Sequence, residues 1–299
     1  TPRSVYTDER MLRAARRLEL VRRHIQSAGS ARQASSLFQA FMGQGPTKMI
    51  SEEAAIKGRP NEMKVASEHY VTGNPIKAPF GDNLEVAVFA TGCFWGTEKA
   101  FWRLPGVAST AVGYIGGYTE NPSYEEVCSG RTGHTEAVQV VFDQDKVSFT
   151  DLLRLHWQSH DPTQGMGQGN DRGSQYRSGI YTTHPEHTTI AEASKGAYEK
   201  ALQAAAKGKG ELITTEIKEG ARFFYAEDYH QQYLAKPKAR QYCSAQPTEV
   251  PLPDFATWAP EGTLDKYAPK LPEAFWAEHG PKPYCTIKGP NAQIVWPPA

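Results

Sequence analysis

The sequence predicts a mixed α and β fold of the α+β class, and two features of residues 86–225 lead to this prediction. The first is a short run of β-branched, aromatic and small apolar residues from Val86 to Ala90, broken at Thr91-Gly92 and followed by a helical repeat. The second is the alternation of further short apolar runs with amphipathic segments along the same stretch. Short buried strands that alternate with helices in this way predict one domain with a sheet and packed helices.

The composition excludes several classes of protein. The 299 residues include 33 acidic and 33 basic side chains, so the formal charge is zero and neither nucleic acid nor a membrane surface is indicated as a partner. No apolar run approaches the length of a membrane-spanning helix, and a soluble protein is expected. The four cysteines form no Cys-x-x-Cys pair, which argues against a structural zinc site. Their wide spacing favours a reduced compartment, cytoplasmic or organellar.

Residues 1–48 are predicted to be an extension of the main domain. Apolar residues recur at roughly helical spacing between residues 7 and 26, and arginines fill many of the remaining positions. The remnant of an organelle-targeting segment and a solvated helix packed on the domain are both possible interpretations, and the acidic residues Asp8, Glu9 and Glu19 favour the second. A linker rich in serine, glutamine and glycine follows over residues 27–48.

The first helix of the main domain begins beside a cysteine. Phe94 and Phe101 are seven residues apart, as are the two tryptophans beside them, so they lie on one side of a helix that Pro105-Gly106 ends. Cys93 therefore lies where a strand passes into a helix N-terminus. Free N–H groups and the positive end of the helix dipole favour an anion there and would lower the pKa of the thiol. We interpret Cys93 as a nucleophile.

Further elements are predicted from changes of apolar period and from turn signals. They are strands at residues 107–114, 137–142 and 180–182, helices from residues 148, 183 and 227, and a pair of strands, 212–217 and 222–225, around Gly220. Five glycines between Gly165 and Gly179 predict a long loop, and long loops inside compact domains are usually functional. A main domain over residues 49–250 and a proline-rich tail over residues 251–299 follow. The aromatic residues of the tail imply that it lies across the surface of the domain.

Three other side chains could take part in chemistry. Glu136 stands at the mouth of the strand that begins at residue 137, where burial beside aromatic rings would raise its pKa and keep it protonated near neutral pH. An exposed carboxylate at the end of a strand is the other interpretation. Tyr124 follows a turn, and its hydroxyl can donate a hydrogen bond into a cleft. His134 could instead act as the base of a Cys–His pair with Cys93, as in a thiol hydrolase.

Nine motifs follow one another between residues 92 and 234. They are Gly92-Cys93-Phe94-Trp95-Gly96, Gly116-Gly117-Tyr118, Asn121-Pro122-Ser123-Tyr124, Glu126-Val127-Cys128-Ser129-Gly130, Thr132-Gly133-His134-Thr135-Glu136, His160-Asp161-Pro162-Thr163-Gln164-Gly165-Met166, Gly169-Asn170-Asp171, Gln175-Tyr176-Arg177-Ser178 and Ala226-Glu227-Asp228-Tyr229-His230-Gln231-Gln232-Tyr233-Leu234. In this order and at this spacing they resemble the peptide methionine sulfoxide reductases of type A. The resemblance covers about residues 49–255. It implies a two-layer, ferredoxin-like α+β domain with a mixed sheet and packed helices, decorated by both extensions.

The resemblance also implies a reaction. Cys93 would attack the sulfur of methionine-S-sulfoxide and become a sulfenic acid, and methionine would leave. Glu136, kept protonated, would give a proton or a strong hydrogen bond to the sulfoxide oxygen, helped by the hydroxyls of Tyr124 and Tyr176.

Four residues of the same motifs are expected to bind the substrate. Phe94 and Trp95 would hold its terminal methyl group against an aromatic wall. Asp171 would meet the backbone of the substrate, and His230 would line the site.

The sulfenic acid requires a second thiol, and Cys243 matches the resolving position of the family. The sequence departs from the family after it, because Ser244–Leu252 replaces a glycine-rich stretch that carries another cysteine. Cys285, in the tail, is either a second recycling thiol or inert, and Cys128 matches a buried structural position. The resemblance implies thioredoxin or another dithiol as external reductant and no bound cofactor or metal. Its substrates would be oxidised proteins, peptides or free methionine sulfoxide, and a monomer is expected.

Two alternatives from other classes remain. A Cys–His hydrolase that uses Cys93 and His134 would need no second thiol, so Cys243 argues against it. A silent protein that only binds methionine sulfoxide should have lost Cys93 or Glu136, and both are present.

Overall fold

A six-stranded mixed sheet forms the centre of the computed structural model, which describes residues 44–205, 212–282 and 289–298. The strands are β1 (Leu84–Thr91), β2 (Val107–Ile115), β3 (Thr135–Asp143), β4 (Gly167–Gln168), β5 (Asp171–Arg172), β6 (Ser178–Thr182), β7 (Glu216–Glu219) and β8 (Phe224–Tyr225). The order in the sheet is β7-β6-β1-β3-β2-β8, and β4 pairs only with β5. Within the sheet β6 and β7 are parallel, and the other neighbours are antiparallel.

Five α-helices accompany the sheet in the part of the chain that the structure describes. They are α1 (Phe94–Trp102), α2 (Tyr124–Cys128), α3 (Phe149–Ser159), α4 (Pro185–Ala205) and α5 (Glu273–His279). Helix α3 begins with the capping box expected from the sequence, in which Ser148 and Asp151 exchange hydrogen bonds with each other's backbone N–H groups. The predicted α+β class, with a mixed sheet and packed helices, is confirmed.

The main core lies between one face of the sheet and the helices α1, α3 and α4. Alternate residues of β1 point to this face, and Phe89 stacks on Phe101 of α1 with 4.8 Å between the ring centroids. Side chains from residues beyond 251 belong to the same core: Leu252, Phe255, Tyr267, Leu271, Phe275 and Trp276.

The opposite face of the sheet explains why one prediction is wrong. The two strands expected to pair around Gly220 are β7 and β8, and they lie at opposite edges of the sheet. The chain between them crosses the second face, where Ala221 and Phe223 pack on a small cluster of buried residues from the central strands: Val88, Ala90, Ile115, Ala137 and Tyr181. The connection thus crosses the sheet instead of forming a hairpin, and it partly buries Phe223 against this surface.

Two other local expectations also differ from the structure. The glycine-rich segment is only partly a loop, because β4, β5 and the first two residues of β6 lie within it. The short helix expected at residues 227–233 is a series of turns that leads into a 3-10 helix at Tyr233–Ala235. A helix cannot pass through Gln232, whose φ is +45° and whose backbone and side-chain N–H groups both bond to buried Glu98.

The helix expected at residues 7–26 and Cys285 lie outside the described residues. Residues 44–46 are described and pair with the domain, since Pro46 accepts a hydrogen bond from the Ser174 N–H at 2.8 Å. Among the described residues, none of the helices combines the length and apolar character that crossing a membrane requires.

The C-terminal segment is tied to helices of the domain by specific hydrogen bonds. The Thr150 hydroxyl donates to the Tyr267 carbonyl at 2.6 Å, and the Asp151 carboxylate accepts the Lys270 N–H at 2.8 Å. Further along the tail, the Asn291 carbonyl accepts the Trp102 indole N–H at 2.8 Å. The tail therefore contacts both α3 and the helix that follows Cys93.

Candidate active site

Cys93 stands between β1 and α1, at the N-cap position of the helix. Gly92 precedes it with φ +100°, and a Cβ placed there would lie 2.7 Å from the Cβ of Gln168, so the turn requires glycine. The Thr97 hydroxyl donates to the Cys93 carbonyl at 3.2 Å and also bonds to Thr91, which joins the strand end to the first helical turn. Cys93 is a free thiol and is partly exposed.

The pKa of Cys93 differs from the sequence prediction. Burial of the sulfur raises the pKa of the thiol well above its usual value, and the negative charges of Glu136 and Asp171 raise it further. The backbone N–H groups of Trp95 and Gly96 act in the opposite direction, as expected at a helix N-terminus. The prediction of a lowered pKa for Cys93 is wrong. Desolvation of the sulfur and the two nearby carboxyl groups raise the pKa by more than the helix N-terminus lowers it.

Glu136 lies on β3 and faces the first turn of α1. Its carboxylate accepts the Phe94 N–H at 3.0 Å, and only 2% of the residue is exposed. Burial raises the pKa of Glu136 to about 8, against the lowering effect of that N–H, and the charge of Asp171 adds to the increase. The carboxyl therefore carries a proton near neutral pH, which agrees with the first of the two interpretations of Glu136 drawn from the sequence.

Two tyrosines share this environment. Tyr124 is the first residue of α2, and Tyr176 lies in a 3-10 turn before β6. Burial raises the pKa of both phenols, and the charges of Glu136 and Cys93 contribute to both increases. Both hydroxyls therefore stay protonated beside the sulfur and the carboxyl, where they are hydrogen-bond donors.

An aromatic wall borders the site and is organised by His230. The Trp95 indole donates to His230 Nδ1 at 3.1 Å, and the Tyr233 ring stacks on Trp95 with 4.1 Å between the ring centroids. The rings of Phe94 and Tyr124 lie 5.1 and 4.7 Å from the His230 ring. Burial lowers the pKa of His230 to about 3, so the ring is neutral and Nε2 carries its hydrogen. Tyr233, which sequence reasoning did not single out, is the residue that stacks on Trp95.

Asp171 is held by two residues that sequence reasoning also missed. The Tyr242 hydroxyl donates to Oδ1 at 2.7 Å, and the Ser244 hydroxyl donates to Oδ2. Burial raises the pKa of Asp171, against the effect of these two hydrogen bonds. Their position on both sides of Cys243 was the available signal, but only the folded chain brings them to Asp171.

Cys93 and Cys243 line one cleft. Its other walls include Thr97, and residues from the tail, Pro281 and Lys282, close one side. Cys243 is disulfide-bonded, whereas Cys93 and Cys128 are free thiols. The structure thus places on one cleft the two cysteines that are expected to react with each other, although they are distant in sequence.

Comparison with known proteins identifies the family. The model of the peptide methionine sulfoxide reductase family matches residues 85–252. A peptide methionine sulfoxide reductase of Azorhizobium caulinodans is 55% identical over 213 residues, which cover 71% of this chain and 96% of that protein. The mitochondrial peptide methionine sulfoxide reductase of Bos taurus is 50% identical over 229 residues, which cover 75% of this chain and 97% of the bovine protein. The chain belongs to the peptide methionine sulfoxide reductase family.

The fold agrees with this membership. The solved structure of methionine sulfoxide reductase A of Corynebacterium diphtheriae aligns with a TM-score of 0.61 and 41% identity. The alignment covers 69% of this chain and 99% of the Corynebacterium chain. As a member of the family, the chain is an enzyme of the oxidoreductase class. The family match ends at residue 252, so α5 and most of the tail lie beyond it.

The rival role of His134 finds no support in this member of the family. His134 Nδ1 accepts the Gly117 N–H at 3.1 Å, and Nε2 lies 2.7 Å from the Thr119 carbonyl, to which it donates. Burial lowers the pKa of His134 to about 4. Because both ring nitrogens bond to the backbone, the imidazole anchors a loop and is not free to take a proton from Cys93.

Two further features concern Cys128 and the residues that could bind a metal. Cys128 is buried at the end of α2, as expected, and its thiol takes part in a hydrogen bond with Tyr124. Within residues 44–205, 212–282 and 289–298, no group of three histidine, cysteine or acidic side chains could hold a metal ion.

Proposed function

We propose that this chain reduces the S epimer of methionine sulfoxide, in proteins, in peptides and as the free amino acid, with Cys93 as the nucleophile. The observation that carries the proposal is the pairing of a thiol at a helix N-terminus with Glu136, a carboxyl of pKa about 8 bonded to the same helix end. The names of the relatives from Azorhizobium caulinodans and Bos taurus support the choice of substrate.

The first step transfers the sulfoxide oxygen to Cys93. The oxygen is a poor leaving group until it is protonated, and Glu136 supplies that proton while the Cys93 sulfur attacks the sulfoxide sulfur. Cys93 ends as a sulfenic acid and methionine leaves, so the thiol loses the two electrons that the sulfoxide gains. The hydroxyls of Tyr124 and Tyr176 stabilise the developing charge on the oxygen.

The aromatic wall binds the substrate. Phe94 and Trp95 hold the methyl group on the sulfur, and Trp95 is fixed in this role by its contacts with His230 and Tyr233. His230 Nε2 is buried and makes no hydrogen bond to the described residues, so its N–H is a donor available to the substrate. Asp171 accepts hydrogen bonds from the backbone of the substrate.

Two further thiols return Cys93 to its starting state. Cys243 attacks the sulfenic acid, and their shared cleft supports this role. Cys285 then exchanges with Cys243 and passes the disulfide to thioredoxin or another external dithiol. The cycle needs no bound cofactor, proceeds in a monomer, and requires a reduced compartment such as the cytoplasm or, as in the name of the bovine relative, a mitochondrion.

A reductant-free turnover experiment tests the proposal. Enzyme reduced beforehand and freed of reductant is mixed with pure S or pure R epimer of a methionine sulfoxide peptide. Two quantities are measured: the methionine formed per enzyme molecule, and the disulfide bonds, which are mapped by mass spectrometry. We expect about two equivalents of methionine from the S epimer, because exchange with Cys285 frees Cys93 for a second turnover, and about one equivalent would show that Cys285 takes no part. The R epimer and the Cys93→Ser variant should give none. No methionine from either epimer would refute the proposed function.

A further inference from the structure

The two residues that flank Cys243 bond to one carboxylate. Tyr242 donates to Asp171 Oδ1 at 2.7 Å, and Ser244 donates to Oδ2. Only 2% of Asp171 is exposed. A carboxylate that accepts two hydroxyls is held in one orientation, and hydrogen bonds to a charged group are roughly twice as strong as neutral ones.

The same carboxylate lies within the electrostatic reach of the nucleophile. Its charge raises the pKa of Cys93 and of Glu136. Asp171 therefore connects the surroundings of Cys93 on one side with the backbone that carries Cys243 on the other. This arrangement places both sulfurs on one cleft.

Other contacts of the 242–248 segment do not involve Asp171. The Ser244 hydroxyl also lies 3.1 Å from the Gln168 carbonyl, and the Gln246 N–H donates to the side chain of Gln168 at 2.9 Å. The Thr248 hydroxyl lies 2.6 Å from the Tyr198 hydroxyl of α4. The segment is thus attached at several points. Asp171 is the residue to which both neighbours of Cys243, Tyr242 and Ser244, are bonded.

We propose that Tyr242 and Ser244 are positioning residues that, through Asp171, hold Cys243 where it resolves the sulfenic acid of Cys93. This inference rests on the proposed function. In the step concerned, the Cys243 sulfur attacks the Cys93 sulfur, the S–S bond forms and the S–O bond breaks. The oxygen leaves as water with the proton of Cys243, so no external reductant takes part.

The physical reason is the effective concentration of the second thiol. Reaction within one molecule is fast only when the reacting atoms are held close together in the right orientation. Two hydrogen bonds, one on each side of Cys243, restrict rotation of the backbone that carries the sulfur. Removal of either bond lets the segment move away from Cys93, so the rate of resolution falls more than the rate of attack on the substrate.

A trapping experiment measures resolution separately from the attack on the substrate. Pre-reduced enzyme is mixed with the S-sulfoxide and dimedone, which traps sulfenic acids, and mass spectrometry gives the fraction of Cys93 that is trapped. For Ser244→Ala and Tyr242→Phe we expect resolution about tenfold slower, the effect of losing one hydrogen bond to a charged group. The rate of the first methionine release, measured in the same samples, should fall by a smaller factor than the rate of resolution. Ser244→Thr, which keeps the hydroxyl, should restore resolution.

Thr248→Val is the matched control, since it removes a hydroxyl bond from the same segment but leaves Asp171 untouched. It should trap no more Cys93 than wild type. The proposal is overturned if Ser244→Ala and Tyr242→Phe also match wild type, or if Thr248→Val slows resolution as much as they do. Absence of methionine in wild type would instead refute the proposed function, so the two failures are distinguishable.

Discussion

At the scale of single residues, three ionisable groups control one another. Glu136 and Asp171 both raise the pKa of Cys93, and Asp171 also raises that of Glu136. A proton on Glu136 therefore has two effects: it supplies the acid for the sulfoxide oxygen, and it removes one of the charges that oppose ionisation of Cys93. Loss of this proton would impair both roles together.

The pH profile follows from this coupling. Because the pKa of Glu136 is about 8, its acidic form predominates below that pH and is lost as the pH rises through it. We expect kcat/KM for the S-sulfoxide to fall above about pH 8, measured over pH 6 to 10 at constant ionic strength. Glu136→Gln should lower kcat about 10²-fold to 10⁴-fold and should flatten this limb of the profile.

Two controls accompany this measurement. Glu136→Gln keeps the shape of the side chain and removes a buried ionisable group, so its melting temperature should not fall below that of wild type by more than a few degrees. A profile of Glu136→Gln that still declines near pH 8 would show that another group is the acid.

At the scale of elements, α1 is held at its first turn and again further along its length. Its N-terminal turn binds the Glu136 carboxyl through the Phe94 N–H. Further along the helix, the Lys99 ammonium is buried and donates to the Gly289 carbonyl at 2.8 Å and to Asn291 Oδ1 at 3.0 Å. The tail thus provides acceptors for a cation on the helix that begins next to the nucleophile, and burial of this cation would be costly without them.

Asn291→Ala tests this contact. It removes one acceptor of the buried Lys99 ammonium, and we expect the free energy of unfolding to fall by about 1–3 kcal/mol, measured by urea denaturation. Asn291→Asp is the matched variant, because it keeps an oxygen at the same place and should be at least as stable as wild type. An equal loss of unfolding free energy in both variants would contradict this, because it would mean that the amide group of Asn291, and not its oxygen on Lys99, stabilises the protein.

At the scale of the whole molecule, the core extends beyond the part of the chain that resembles the family. The match to the family ends at residue 252, yet Tyr267, Leu271, Phe275 and Trp276 are buried in the main core. Phe275 also contacts Trp296, with 5.5 Å between the ring centroids. The domain therefore buries apolar side chains of the tail in its own core, and this burial is expected to stabilise the fold.

Phe275→Ala measures how much the tail contributes. Phe275 is fully buried, and we expect a loss of about 3–5 kcal/mol in the free energy of unfolding, measured by chemical denaturation. Leu264→Ala is the control in the same tail, because Leu264 is 46% exposed and its truncation should change stability by less than about 0.5 kcal/mol. A small effect of Phe275→Ala would show that the tail docks without stabilising the domain.

Local patterns were enough to predict much of the fold and of the candidate site. The strand that ends at Thr91, the helix after Cys93 and the capping box at Ser148 depend on residues within one turn or one strand, so their signals lie in the sequence itself. For Glu136 the sequence left a buried acid and an exposed carboxylate both open, and the structure shows the buried one, with a pKa raised to about 8.

Interactions between distant residues decided the rest. The connection from β7 to β8 crosses a face that several strands build together, and Phe223 packs on that face. The raised pKa of Cys93 is the balance of a helix end, which the sequence predicted, against burial and two carboxylates, which only the folded chain assembles. The bonds from Tyr242 and Ser244 to Asp171, and the docking of the tail on α1, likewise join segments far apart in the chain. Desolvation and Coulomb interactions depend on distance in space, and distance along the sequence does not determine them.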